Sequence, residues 1–296
     1  MPSAASTLQP GADLEAAGRS LLNTWRRFLR NKGAVAGLAV ALAFCLAAVL
    51  APVIAPYSPL SQSPTISRLP SPDHLLGTDP LGRDILSRAI HGARISLFIG
   101  FSAVAVGLLL GASLGLLCAY LGGRVDDLVM RCIDMLMAIP AVILAMSILA
   151  ALGPSLGAVV IAIAISSLPS YARLARAQTL YQKQMDYVMA ARAMGGGRLR
   201  IMARHILPNI VGVLVVAGTT SVGSAILTEA GLSFLGLGVP PPTPTWGAMV
   251  SEGRQFIFIA AHVGIIPGLF IMLAVLACNL AGDGLCDAID PRSMVR

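Results

Sequence analysis

Long uncharged apolar runs, separated by short basic segments, dominate the chain from residue 33 to residue 281. One such run extends from Gly33 until Arg68, and another covers 135–172. A membrane-spanning helix needs about 20 apolar residues, so the second run predicts two spans joined by a turn at 153–155, with Pro140 kinking the first. The pattern predicts an all-α polytopic membrane protein with six transmembrane helices, at about 33–55, 95–120, 135–152, 156–172, 209–228 and 260–281.

The segments around these spans differ in kind. Residues 1–32 alternate apolar residues and arginines at helical spacing, which predicts an amphipathic helix on the cytoplasmic membrane surface. Residues 56–94 predict an external loop followed by a polar helix, and 283–296 predict a cytoplasmic tail. Residues 95–282 form the predicted transmembrane core, which includes a cytoplasmic segment at 186–208.

The polar helix before the second span has a recognisable start. Asp79 is placed to cap it, because Pro80 follows at what would be the first helical position. Asp79 with Arg83, and Asp84 with Arg88, are pairs four residues apart with the acid first, the order that stabilises a helix. We therefore expect this helix to begin near residue 80 and to run into the span.

Composition and charge distribution support the membrane interpretation and set an orientation. Only 12% of the residues are charged, 56% are hydrophobic and the mean hydropathy is +0.80. The net charge of +7 does not indicate nucleic-acid binding, because the basic residues lie between apolar runs instead of along one polar face. Sixteen of the 21 lysines and arginines fall in segments that are cytoplasmic when the N-terminus is inside. This asymmetry places both termini in the cytoplasm.

Two G-x-S-x-G matches, at Gly111–Gly115 and Gly153–Gly157, do not indicate a hydrolase. A nucleophile elbow requires a strand-turn-helix context and a His/acid pair, whereas one match lies in a span and the other in a turn. The better interpretation is a flat seam on which another helix packs closely. The glycines of this seam are Gly107, Gly111 and Gly115.

The sequence contains no motif for metal or nucleotide binding. The five cysteines lack C-x-x-C spacing and the four histidines lack H-E-x-x-H spacing. A P-loop requires a glycine directly before its lysine, but Lys32 follows Asn31 and Lys183 follows Gln182. Any ATP site must therefore be on another chain. Glu229, at the outer end of the fifth span, is a candidate functional carboxylate unless its position is interfacial.

The most informative cytoplasmic stretch is a short helix between two turn signals. Asp186 suits an N-cap and Gly195 suits a left-handed C-terminal stop. The helix between them has about eight residues and a length of about 12 Å. It either rests on lipid or docks into a groove of a partner protein. One face of it carries Tyr187, Ala190, Ala191 and Met194.

This stretch resembles the E-A-A-x-x-x-G-x9-I-x-L-P signature of permease subunits of ABC importers. Ala190, Ala191, Gly195, Leu207 and Pro208 match it, whereas methionine replaces the signature glutamate at position 189 and histidine stands at 205. The similarity to the dipeptide/oligopeptide branch covers nearly the whole chain from Trp25. It includes 77–84, 204–209, 233–238, Pro241, Pro242, Trp246, Gly247 and 282–284.

The resemblance implies a type I ABC importer transmembrane domain in a bacterial cytoplasmic membrane. Its partners would be a second homologous permease, two cytoplasmic ATPase subunits and an external solute-binding protein. ATP and Mg would bind the ATPases, with no cofactor on this chain, and the solute would be a di- or oligopeptide, glutathione, nickel or another small solute. The residues implied in coupling are Asp186, Tyr187, Met189, Ala190, Ala191, Met194, Gly195, Leu207 and Pro208. Those implied in an external docking or structural loop are Ser233, Phe234, Gly236, Gly238, Pro241, Pro242, Trp246 and Gly247.

Two other classes remain as alternatives. A secondary transporter working alone usually has carboxylates deep in its spans, and none lies in the middle of a predicted span. A membrane-embedded enzyme would need an acid/base or metal cluster, which the sequence does not contain.

Overall fold

The computed structural model describes residues 25–289, and within that range the chain is helical apart from turns, loops and isolated β-bridges. Most of the predicted amphipathic N-terminal helix lies outside the described residues, although 25–30 are helical and Trp25 stacks on Phe28. The described helices of at least eight residues are α1 Lys32–Val49, α2 Ile85–Leu121, α3 Gly123–Met137, α4 Ala141–Leu152, α5 Leu156–Lys183, α6 Asp186–Ala193, α7 Leu207–Phe234, α8 Trp246–Gly253 and α9 His262–Ile289.

Five helical segments of the described chain are long and apolar enough to cross a membrane. They are α1, α2, α5, α9 and the continuous segment Arg198–Phe234, which contains α7. Before α7, this segment has one α-turn at Arg198–Ile201 and a π-helical turn at Met202–Ile206. The chain is therefore a multi-pass membrane protein.

The predicted third span, 135–152, is not one continuous helix. Met135 to Met137 belong to α3, and α4 begins only after Pro140, at an angle of 92° to α3. Pro140 has no N–H to donate and its fixed φ disfavours the helix before it, so the chain bends sharply where we expected a kink. Within residues 25–289, a sixth crossing exists only if α3 and α4 together count as one broken span.

Helices α2 and α5 pack closely along a row of glycines. A Cβ added to Gly107 would lie 2.9 Å from the Ala164 carbonyl oxygen, and one on Gly115 would lie 2.1 Å from the Ala172 carbonyl oxygen. Because these neighbours are backbone atoms, the two helices touch through their main chains along this seam. Gly111, between them, faces the backbone of 168–172 in the same way.

The start of α2 differs from the prediction. Asp84, not Asp79, is the N-cap, and its carboxylate accepts from the Ser87 N–H at 2.8 Å and pairs with His74 Nδ1 at 2.9 Å. Asp84 therefore does not pair with Arg88. Asp79 lies in the preceding turn, because Gly82 takes a positive φ of 75° that ends any helix started at residue 80.

Asp79 is instead the centre of a buried charge network. Its carboxylate binds Arg83 Nε at 2.6 Å and also binds Arg88. The same two arginines bind Glu252 of α8, at 2.7 Å from Arg83 and 2.8 Å from Arg88. The network therefore ties the 56–84 segment, the start of α2 and α8 into one unit.

Removing the centre of this network is expected to destabilise the chain. Asp79→Ala leaves the buried guanidinium groups of Arg83 and Arg88 with only the partly exposed Glu252, at a cost of about 3 kcal/mol. The melting temperature of the detergent-purified chain should fall by several degrees. The matched control is Asp73→Ala, because the Asp73–Arg68 pair at 3.8 Å is largely exposed and contributes little. Equal melting temperatures for both variants would contradict a structural role of the network.

Candidate functional site

The short helix α6, the candidate coupling helix, connects α5 to Arg198–Phe234. Its start differs from the prediction, because Asp186 is the first helical residue and Met185, in an extended conformation, is the N-cap without a side-chain hydrogen bond. At the other end, Met194 is the C-cap and Gly195 has a φ of 79°. A residue with a Cβ adopts that φ only at a cost, so Gly195 suits the turn that redirects the chain.

The two faces of α6 have different environments, and this corrects the role expected of Ala191. Val188 is fully buried and Ala191 is only 6% exposed, because both point into the bundle. Ala190 and Met194 are exposed, Met194 to 82%. Ala191 therefore cannot contact a partner protein directly. The apolar surface that α6 presents outward consists of Tyr187, Met189, Ala190, Ala193 and Met194.

The inner face of α6 belongs to a buried apolar cluster, the α6 cluster, that joins it to three long helices. Its members come from the end of α2, from α5, from α6 and from the first turns of Arg198–Phe234. Because closely packed side chains transmit displacement, α6 moves together with these helix ends. The members of the cluster are Tyr120, Ala175, Val188, Ala191, Ile201, Met202, Ile206, Ile210 and Leu214.

Hydrogen bonds also join the end of α5 to the end of α2 and to α6. Lys183 Nζ donates to the carbonyl oxygens of Ala119 at 2.7 Å and Tyr120 at 3.1 Å, and so satisfies the C-terminal end of α2. The Tyr187 hydroxyl donates to Gln182 Oε1. Partial burial raises the pKa of the Tyr187 phenol, which keeps this donor protonated.

The two signature residues after α6 lie at the start of α7. Leu207 is the first residue of α7 and Pro208 is the second, directly after the π-helical turn at Met202–Ile206. Both side chains are exposed on the same end of the bundle as α6. Asn209 Nδ2 donates to the His205 carbonyl oxygen at 2.7 Å, across the π-helical turn. This contact uses the backbone of His205 and does not depend on the side chain, so the departure from the signature at position 205 leaves it in place.

A charged cleft of about 610 Å³ lies between α3 and α5. Arg176 binds Asp126 through two hydrogen bonds of 2.8 Å each, and Arg173 binds Asp134 at 2.6 Å. Sequence reasoning did not find these pairs, because their partners are 39 or more residues apart. These two ion pairs hold α3 against α5, because α3 by itself is not an apolar span.

The eight residues expected in a docking or structural loop divide into two groups. Ser233, Gly238, Trp246 and Gly247 are buried. Trp246, fully buried, donates from Nε1 to the Ala89 carbonyl oxygen of α2 at 2.9 Å. Only the second group is available to a partner protein, and it consists of Phe234, Gly236, Pro241 and Pro242.

Glu229 is buried within the helix bundle. Its carboxyl group is fully buried, accepts from the Ser233 hydroxyl at 2.8 Å and from the Ser96 hydroxyl at 3.4 Å. Ser96 in turn accepts from the Trp246 N–H at 3.1 Å. Glu229 therefore links α7, α2 and α8, and no local sequence signal indicated these partners.

Comparisons with known proteins are consistent with this architecture. The family described as binding-protein-dependent transport system inner membrane component matches residues 86–295, and the N-terminal TM domain of oligopeptide transport permease C matches 21–72. The chain is 49% identical to the di/tripeptide transport system permease protein DppC of Pseudomonas aeruginosa (strain UCBPP-PA14), over 90% of this chain and 91% of that protein. It is 46% identical to the glutathione transport system permease protein GsiD of Pectobacterium atrosepticum, over 90% of each chain. The fold resembles an inward-facing structure of the MetNI methionine ABC transporter, with a TM-score of 0.57 and 19% identity over 70% of this chain and 98% of that one.

Proposed function

This chain belongs to the family of binding-protein-dependent transport system inner membrane components, and we propose that it is the permease subunit through which an ATP-driven importer moves di- or oligopeptides across the cytoplasmic membrane. The assignment of the solute rests on the 49% identity to a di/tripeptide permease along nearly the full length of both chains. A glutathione permease is 46% identical over a similar length, so glutathione, itself a short peptide, is the second candidate.

We propose that a second homologous permease, two cytoplasmic ATPases and an external solute-binding protein complete the importer. The absence of a P-loop in the sequence supports an ATP and Mg site on the ATPases. The asymmetry of lysine and arginine supports an orientation with both termini in the cytoplasm. In that orientation α6 faces the ATPases, and the exposed residues of the 233–242 stretch face the binding protein.

The proposed mechanism uses α6 as the connection between the ATPases and the spans. Its exposed apolar face, with Ala190 at the centre, inserts into a cleft on one ATPase. Closure of the ATPases moves α6, and the α6 cluster transfers that displacement to the ends of α2, α5 and α7. ATP shifts the equilibrium between inward- and outward-facing arrangements only as far as it binds one of them more tightly.

The test is reconstitution of the importer in lipid vesicles. The purified chain alone should neither bind nor hydrolyse ATP, whereas the complete complex should hydrolyse ATP and import labelled dipeptide when loaded binding protein is added. A competition series with dipeptides, longer peptides and glutathione identifies the solute. Stoichiometric ATP binding by this chain alone would contradict the proposal, and import of glutathione without any dipeptide would replace the first candidate by the second.

A further inference from the structure

A cavity of about 220 Å³ lies between α5 and α7, and hydroxyl groups line much of it. Ser166 and Ser170 project from α5 one turn apart, and Ser221, Ser224 and Thr228 follow helical spacing on α7. Among the described residues that line it, none is charged. The complete set of hydroxyl-bearing serines and threonines is Ser166, Ser167, Ser170, Ser221, Ser224 and Thr228.

Residue counts from the ends of α5 and α7 indicate that the cavity lies near the middle of the membrane. Ser166 follows the start of α5 at Leu156, and Ser224 precedes the end of α7 at Phe234, each by ten residues. Ten residues of helix advance about 15 Å, which is half of a hydrocarbon core about 30 Å thick. Hydroxyls collected at this depth need either a protein partner or water.

Several of these hydroxyls keep their acceptor capacity free. Ser166 donates to the Ala162 carbonyl oxygen at 2.7 Å, Ser221 to that of Ala217 at 2.7 Å and Thr228 to that of Ser224 at 2.8 Å. A hydroxyl oxygen has two lone pairs besides its donor. The bonds back to their own helices therefore leave oxygen atoms that accept from a molecule in the cavity.

Tyr171 provides independent support for a bound polar molecule. Its side chain lines the cavity and is 3% exposed, yet its buried hydroxyl has no hydrogen-bond partner. The Ser221 side chain is near enough to interact with it, but no hydrogen bond of normal geometry joins them. A buried hydroxyl without a well-formed hydrogen bond is costly, so a polar molecule in the cavity would stabilise it.

The opposite side of α7 has the contrasting chemistry. Thr219, about 140° around the helix from Ser224, lines a cleft of about 350 Å³ whose other lining groups are apolar side chains such as Leu108 and Val215. The Thr219 hydroxyl donates to the Val215 carbonyl oxygen at 2.9 Å. Lipid acyl chains suit that apolar cleft, whereas the hydroxyl-lined side suits water.

We propose that this hydroxyl-lined cavity is a subsite for the peptide backbone on the solute path, with Tyr171 as its hydrogen-bonding anchor. The assignment rests on the proposed function for the identity of the solute. The free acceptor sites of these hydroxyls match the N–H of an amide, and the Tyr171 hydroxyl can donate to its C=O. The cavity hydroxyls carry no charge, so they bind peptide amides weakly and without preference for particular side chains. Weak binding allows the solute to leave this subsite and continue along the path.

The first test measures access of water and does not depend on the solute. Single cysteines are introduced as Ser224→Cys and Thr219→Cys in the complete importer, with the five native cysteines replaced. A charged, membrane-impermeant maleimide should label Ser224→Cys about tenfold faster or more, because the reactive thiolate forms in water and is disfavoured next to lipid. Equal labelling of both sites, or labelling of Thr219→Cys alone, would overturn the proposal and leave the serines as helix-packing contacts.

The second test concerns Tyr171 and the solute. Tyr171→Phe removes only the hydroxyl and should lower dipeptide import about threefold to tenfold, the loss of one hydrogen bond, at an unchanged level of the chain in the membrane. Normal import by Tyr171→Phe would overturn its role as anchor. If Ser224→Cys labels as expected but the unmodified importer moves no dipeptide, the water path is supported and the proposed function, with the peptide subsite, is contradicted.

Discussion

Replacing Ala190 with glutamate is expected to abolish solute uptake while leaving the chain folded in the membrane. Ala190 is at the centre of the exposed face of α6, so a longer side chain there meets no group of its own chain. In the complex the added carboxylate would be buried without a partner in the ATPase cleft. Such a charge costs about 2–5 kcal/mol, which is roughly a 30-fold or greater loss of ATPase affinity. Uptake of labelled solute and copurification of the ATPases measure the effect.

Two neighbouring variants are the controls for this result. Ala190→Ser adds one small polar atom and should keep both uptake and ATPase association. Ala191→Glu should instead remove the chain from the membrane fraction, because Ala191 is part of the α6 cluster and a carboxylate there is buried inside the permease. If Ala190→Glu transports normally with its ATPases bound, α6 is only a surface helix.

Replacing Gly115 with alanine is expected to cause a large loss of stability although it adds only one carbon atom. The new Cβ would lie 2.1 Å from the Ala172 carbonyl oxygen and 2.9 Å from the Arg176 amide nitrogen. Neither neighbour is a side chain that rotates away, so α2 and α5 must separate along their whole seam. Overpacking of a core costs about 1–3 kcal/mol and occasionally more. A lower melting temperature and a lower membrane level of the chain should follow.

The matched variant for the seam is Gly268→Ala in α9. No atom lies within 4 Å of a Cβ built on Gly268, and alanine favours a helix over glycine by about 0.5–1 kcal/mol. Its melting temperature should therefore be unchanged or slightly higher. Equal melting temperatures for Gly115→Ala and Gly268→Ala would show that α2 and α5 do not depend on backbone contact.

The all-α membrane fold was predictable because apolar runs of sufficient length have few alternatives in a bilayer. The local conformation of the polar segments was less predictable. Asp79 and Asp84 each fit an N-cap by spacing, and only the turn at Gly82 decides between them. The position of α6 was inferred from its flanking turns, but its inward face was not, because eight residues with alanine on both sides define no apolar direction.

Contacts between residues far apart in the sequence could not be predicted either. The burial of Glu229 depends on Ser96, which is 133 residues away, and the pairing of Arg88 depends on Glu252, which is 164 residues away. A single sequence carries the chemistry of these residues but not the helix arrangement that brings them together. The size of the bend in the predicted third span could not be foreseen for a local reason, since Pro140 indicates a kink but hydropathy does not record the 92° angle after Met137.

That bend decides which edge of the subunit must be kept away from lipid. The twelve residues of α4 advance about 18 Å from the turn at 153–155, so the bend at 138–140 lies within the hydrocarbon thickness. The first N–H groups of α4, from Ala141 to Ile143, have no intrahelical acceptors, and each would cost several kcal/mol against acyl chains. Ala141 also lines the hydroxyl-lined cavity. In the proposed importer, the edge formed by α3 and α4 must therefore be covered by protein or water that brings hydrogen-bond acceptors.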